Sequence, residues 1–154
     1  MPYLSGERTP HLDPHVRGAW TSLGLAHGRA HLLRVAFEGV AFALREGLEA
    51  LEEAGVQAPE LRLAGGGVLR AAWRQLLADV LDGPLRLLPA FVTPAASARS
   101  AALLAGLAQG IYGSVEDTIL IAPKVRETVL PRDNDRYEAA YARYRKLYPR
   151  LCEP

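Results

Sequence analysis

Leu61-Arg-Leu-Ala-Gly-Gly-Gly67-Val-Leu-Arg70-Ala-Ala-Trp73-Arg-Gln-Leu-Leu-Ala-Asp79-Val-Leu81 changes its apolar period at the glycines, and that change decides the fold. Leu61, Leu63 and the adjoining Ala64 form a short apolar run between Pro59 and Gly65-Gly66-Gly67, the pattern of a brief buried strand entering a turn. Past the glycines, Trp73, Leu76, Leu77, Val80 and Leu81 share one face of a helix, which Gly83-Pro84 stops. Leu85 to Leu88 is then a second short strand. Strands joined through a helix run parallel, so the block predicts an α/β fold with helices against a sheet.

Working outward, Leu33, Phe37, Val40, Leu44, Leu48 and Leu51 recur at spacings of three and four. They predict one helix from His27 to about Glu53, buried along that stripe and ended by Gly55. Its other side carries Arg34, Glu38, Arg45, Glu49 and Glu52, a solvated or partner-facing surface. Residues 1–26 are punctuated by Pro2, Pro10, Pro14, Gly6, Gly18 and Gly24 and read as a long ordered loop. Downstream, Thr93-Pro94 predicts a helix start and Gly110 its end, while Ser114-Val-Glu-Asp117 opens a short helix that Pro123 terminates. A last helix from about Asn134 carries Tyr137, Tyr141, Tyr144 and Tyr148 as a packing stripe. The chain thus divides into the loop 1–26, an α/β core over 27–110 and a helical tail over 111–154. Two strands are too few for a stable parallel sheet. Their unpaired edge, Leu61 to Ala64, therefore calls for strands from elsewhere in a longer protein or for a second copy, as in a homodimer.

Composition narrows the function. The 154 residues, 49% of them apolar, suffice for one domain with a real core. A formal charge of +1 gives no electrostatic footprint for nucleic acid or an anionic membrane. The single cysteine, Cys152, excludes an internal disulfide and a thiolate metal site and fits a reducing cytoplasm. No uncharged apolar run reaches the roughly 18 residues of a membrane span.

Gly65-Gly66-Gly67 is the candidate site. Glycines at the carboxyl end of a parallel strand let a ligand approach the backbone, and the next helix presents free amides to an anion such as a phosphate. His27 and His31 lie four apart but lack a third ligand and read as surface side chains. Asp13, Asp79 and Asp82 are each conceivable as a general base, although Asp79, in an apolar helix, reads as a hydrogen-bonding residue.

Three blocks together resemble the FGGY carbohydrate kinases, and within them the xylulose kinases. Pro2-Tyr-Leu-Ser-Gly-Glu-Arg-Thr-Pro-His11, followed by Asp13-Pro14 and Arg17-Gly18, resembles the segment that begins the second half of these enzymes. Arg29-Ala-His-Leu32 and Phe37-Glu-Gly-Val-Ala-Phe-Ala-Leu44 are similar to their long helix. Leu63-Ala-Gly-Gly-Gly67 and Trp73-Arg-Gln-Leu-Leu-Ala-Asp-Val-Leu81 are similar to their glycine block. The resemblance runs from Pro2 to about Tyr148. It implies a partial actin-like (ribonuclease-H-like) ATPase lobe, helix-rich with few parallel strands, on the nucleotide side of a two-lobed cleft. There ATP, with magnesium, gives its γ-phosphate to D-xylulose, yielding D-xylulose 5-phosphate; glycerol, gluconate and ribulose are the substrates of related enzymes.

By this resemblance Gly65, Gly66 and Gly67 line the adenosine and α-phosphate side of the cleft, and Arg70, a candidate nucleotide contact beside them, either pairs with a phosphate or fills the pocket. The catalytic aspartate, the other phosphate loop, most magnesium contacts and the sugar contacts belong to a lobe outside these residues, so the chain alone is expected to be inactive. Arg70 stands where the family has serine or asparagine, and Val68 where it has alanine. Ala96 and Ser100 occupy glycine places of a late helix start, and Ser22 another glycine place ahead of the long helix.

Overall fold

Three short strands and six helices make up the described residues, 1–89, 95–132 and 135–152, of the computed structural model. Strands β1 (Leu61–Leu63) and β2 (Leu85–Leu87) are parallel, with Leu61 opposite Leu85 and Leu63 opposite Leu87. Helix α2 (Ala71–Leu81) makes the crossover between them. A third strand, β3 (Glu127–Val129), lies antiparallel to β2, giving a mixed sheet in the order β1-β2-β3. The sequence pattern predicts a helical tail here, without a strand. Glu-Thr-Val is too short to show a period, and its register is set from outside. The Arg126 amide donates to the Leu87 carbonyl at 2.8 Å and Arg86 Nη1 to Thr128 Oγ1 at 2.7 Å.

Helix α1 (Arg29–Glu53) has the expected extent, and Gly55 follows it at φ +83°. Its burial is not the expected one. Leu33, Phe37, Val40, Leu44 and Leu51 are 40–54% exposed, whereas Gly39, Ala41, Phe42 and Glu46 are buried. The charged side is the one that packs inside the chain. Arg45 reaches Glu138 at 2.6 Å and lies 4.3 Å over the Tyr141 ring. The Tyr141 hydroxyl donates to Glu49 at 2.7 Å, and Arg34 donates to the Tyr137 hydroxyl at 2.6 Å. These partners sit on α5 (Asp135–Arg145), so long amphipathic side chains cover the aromatic surface between the helices.

The tyrosine stripe packs as expected: Tyr137, Tyr141 and Tyr144 are buried around Phe42, with ring centroids 5.4–6.3 Å from it. The core continues through Leu76, Leu77, Ala78 and Val80 of α2 to Leu85 of β2. Asp82, left-handed at φ 51°, closes α2 in the role expected of Gly83.

Residues 1–28 contain no helix or strand and are held by specific bonds. The Tyr3 hydroxyl meets the Tyr144 hydroxyl at 2.9 Å and donates to Glu46 Oε2 at 3.3 Å, and His11 stacks on Tyr148 at 3.7 Å. Burial is the main cause that pushes the Tyr3 hydroxyl up to about 12. Burial also raises the Glu46 carboxyl, against the opposing pull of His11 at 3.7 Å. Gly6 is required here: φ is +91° and a Cβ would sit 2.9 Å from the Pro14 backbone.

Helix α3 (Ala96–Ala108) ends just before Gly110, at φ +71°, and α4 (Val115–Leu120) opens on the expected capping box. In that box the Asp117 amide donates to Ser114 Oγ at 3.3 Å and the Ser114 amide to Asp117 Oδ2 at 3.0 Å. Helix α6 (Leu147–Cys152) ends the described chain. Thr93-Pro94 and Asn134, expected at helix starts, lie outside the described residues.

Candidate functional site

Strand β1 delivers the chain at its carboxyl end to Gly65, whose φ of +96° and ψ of 162° belong to a region that only glycine enters without strain. The backbone then winds through a 3-10 turn, Gly66–Leu69, before α2 begins. A Cβ built on Gly65 or Gly66 meets nothing within 4 Å, so this stretch of backbone faces open space. One on Gly67 would come 3.6 Å from Trp73 Nε1, an ordinary contact. The tight conformation thus rests on Gly65, and the three glycines leave a bare backbone surface at the carboxyl edge of two parallel strands. Open α/β sheets bind ligands at such edges.

Arg70 links the turn to the helix. Its amide donates to the Gly67 carbonyl at 3.5 Å, and its carbonyl accepts from the Trp73 and Arg74 amides at 3.1 Å. The Arg70 side chain makes no capping bond at the α2 N-terminus. Arg70 itself is exposed. Gly65, Gly66, Gly67 and Arg70 therefore lie on one short stretch between β1 and α2, with the Gly65 and Gly66 backbone open to an approaching group.

The remaining candidates are engaged elsewhere. His27 Nδ1 accepts from the Gly24 amide at 2.9 Å and His31 Nδ1 from the Gly28 amide at 3.2 Å, so both exposed histidines tie the loop ahead of α1. Asp13 accepts from the His15 and Val16 amides and from the Tyr148 hydroxyl. Asp79, 4% exposed, accepts from Gln75 at 2.8 Å, the Arg132 amide at 3.0 Å and the Arg132 guanidinium at 2.6 Å, the structural role expected of it. Ser22 adopts φ +57°, a conformation that glycine takes with less strain. Ser100 Oγ donates back to the Ala96 carbonyl at 3.0 Å.

Sequence reasoning missed the neighbours that hold the turn. Arg74 Nη1 donates to the Val68 carbonyl at 3.3 Å, and Nη2 lies 3.7 Å from Glu127 of β3. Only the unrecognised third strand brings Glu127 there. An arginine one residue after Trp73 was a visible signal, but its partner is 53 positions away.

Comparison with known proteins places the chain among carbohydrate kinases. The xylulose kinase of Escherichia coli (strain K12) is 36% identical over 157 residues, covering 98% of this chain and 31% of that protein. The glycerol kinase of Haemophilus influenzae is 32% identical, covering 99% of the chain and 30% of that protein. A crystal structure of a kinase from Brucella ovis, described as a xyloylose kinase, superposes with a TM-score of 0.76 at 34% identity, over 98% of this chain and 31% of that one. The chain thus spans less than a third of the length of these relatives, and its fold is part of the actin-like ATPase fold of such kinases. Because residues 1–109 match the C-terminal domain of the FGGY family of carbohydrate kinases, the chain belongs to that family.

Proposed function

We propose that this chain is the nucleotide-side part of a cytoplasmic xylulose kinase, which transfers the γ-phosphate of ATP to D-xylulose to give D-xylulose 5-phosphate. The observation that carries the reading is the bare turn Gly65–Gly67 at the carboxyl end of β1, with Arg70 and the α2 N-terminus beside it. The open turn fits the adenosine and α-phosphate side of a nucleotide, which Arg70 would pair with directly. Xylulose rather than another sugar is favoured by the E. coli and B. ovis similarities, and glycerol is the alternative that the H. influenzae protein supports. In this reading the sugar contacts and the catalytic carboxylate come from the rest of the kinase. Magnesium is assigned mainly there too, as the resemblance to FGGY kinases implies.

Half a cleft offers few contacts. ATP is expected to bind the chain no more tightly than roughly millimolar, about 4 kcal/mol, and to be consumed with neither D-xylulose nor glycerol. NMR titration of the labelled protein tests this: shifts centred on Gly65 to Arg70 support the reading, and shifts confined to residues remote from them overturn it. ATP turnover dependent on either sugar and abolished in Gly66→Arg would refute the dependence on a second lobe.

The open apolar face of α1 and the free edge of β1 fit the same reading, with the remainder of the kinase as their cover. With that cover absent, the chain is expected to associate with itself at high concentration and to be shifted toward monomer by Leu44→Glu. Sedimentation across a wide concentration range decides it. A monomer throughout would mean that neither surface needs a cover.

A further inference from the structure

Trp73, Arg74 and Gln75, consecutive on α2, reach three different parts of the chain. The Trp73 indole lies beside Gly67 and 5.5 Å from the Phe37 ring of α1. Gln75 donates to Asp79 at 2.8 Å and to the Leu130 carbonyl, just past β3, at 2.9 Å. Arg74, between them, joins the Val68 carbonyl to Glu127 of β3.

From this geometry we infer that Arg74 is a positioning residue for the glycine turn, fastening it to β3 so that the Gly65–Gly67 backbone is held in place for its ligand. The inference rests on the nucleotide reading given above. Val68 is the buried member of the 3-10 turn, and its carbonyl lies in the last part of the turn, where intrahelical partners run out. A donor must come from outside, and Arg74 supplies it. The same guanidinium has to approach a carboxylate on a strand 53 positions downstream. A planar fork with separate donors can meet both acceptors at once, whereas a lysine ammonium on its flexible stem meets one of them well. The arrangement also leaves Arg74 Nε buried without a hydrogen-bond partner among the described residues, a local penalty that a residue chosen only for α2 stability would avoid. Arg74 lies behind the turn, on the side lined by Val68, Leu69, Leu87, Leu88, Arg126 and Glu127. It therefore acts on a ligand through Val68 and touches no reacting atom. A site whose backbone is fixed before binding loses less affinity to ordering, and that is the effect Arg74 provides.

The test uses the labelled 154-residue protein with Arg74→Met, Arg74→Lys and Glu127→Gln, and with Arg62→Met as a surface control. ADP is the probe. Three quantities are read: ADP affinity from the Gly66 and Gly67 amide shifts, 15N order parameters of Gly67 and Val68, and hydrogen exchange of the Val80 amide in the core. Arg74→Met is expected to weaken ADP about tenfold and to lower the order parameters from about 0.85 toward 0.6. Arg74→Lys should recover part of both, Glu127→Gln should lose a smaller part, and Val80 exchange should stay unchanged. If the unaltered chain binds no ADP, the nucleotide reading fails for it, and the order parameters alone decide the positioning role. Turn order or ADP affinity unchanged in Arg74→Met overturns the inference. So does a loss matched by equal deprotection of Val80, which would make Arg74 a general stabiliser. Should Arg74→Met not fold, Arg74→Lys and Glu127→Gln carry the same comparison.

Discussion

Phe42→Ala is expected to destabilise the chain by about 3–5 kcal/mol, whereas Leu44→Ala, two residues further along the same helix, should cost less than about 1 kcal/mol. Phe42 is 5% exposed and packs edgewise and at a tilt against three tyrosines of α5, so its removal leaves a cavity between helices that cannot close on each other. Tyr137, Tyr141 and Tyr144 are fixed by Arg34, Glu49 and Tyr3 through their hydroxyls, which keeps their rings from collapsing into the space. Leu44 is 51% exposed, and most of its surface already meets solvent. Urea unfolding followed by circular dichroism compares the two variants directly. Equal losses would mean that α1 is rotated, with the Leu33 to Leu51 stripe in the core after all.

That contrast locates what could be read from the sequence and what could not. Helix α1 was legible in extent because its period and Gly55 are local signals, and the burial of the tyrosine stripe of α5 followed from its spacing. The orientation of α1 was not legible. Its sequence offers a wholly apolar stripe and a charged face bearing Phe42 and Ala41, and hydrophobicity alone puts the stripe inside. The charged face wins within this chain because its arginines and glutamates find α5, Tyr141 and Tyr137 as specific partners, and a period cannot report partners about a hundred residues away. The stripe is left exposed, with Leu33, Phe37, Val40, Leu44 and Leu51 open to solvent. In the candidate site the same division holds. Gly65 to Gly67 announced a turn by type and position, and Gly65 does adopt the φ that requires glycine. The strut behind the turn depends on β3, whose three residues carry no pattern of their own and are placed by pairing with β2.

Asp79 gives the second large expected effect, and one that depends on pH. Asp79→Ala should remove about 2–4 kcal/mol at neutral pH, because a carboxylate inside α2 accepts bonds from Gln75, from the Arg132 amide and from two nitrogens of the Arg132 guanidinium. Together these hold the segment leaving β3 against α2. Burial opposes ionisation of this group, but the bonds from Arg132 and Gln75 outweigh it and hold its pKa below the ordinary value of 3.8. The folded state therefore binds the Asp79 proton more weakly than the unfolded chain does. Its stabilisation is complete above about pH 4 and is lost as pH falls through the still lower folded value. Asp13, Glu60 and Glu138 are also held below their ordinary values, so acid weakens the whole protein, and the informative quantity is the difference between unaltered and variant chains. That difference should be constant from pH 7 to about pH 5 and shrink between about pH 4 and pH 2. Arg132→Ala should lose less than Asp79→Ala, since the Arg132 side chain is 65% exposed and the backbone bond to Asp79 survives. Denaturant midpoints measured across this pH range test all three statements. A gap between the unaltered protein and Asp79→Ala that widened in acid would mean that Asp79 is protonated in the folded chain, and that the bonds from Arg132 and Gln75 do not hold it ionised.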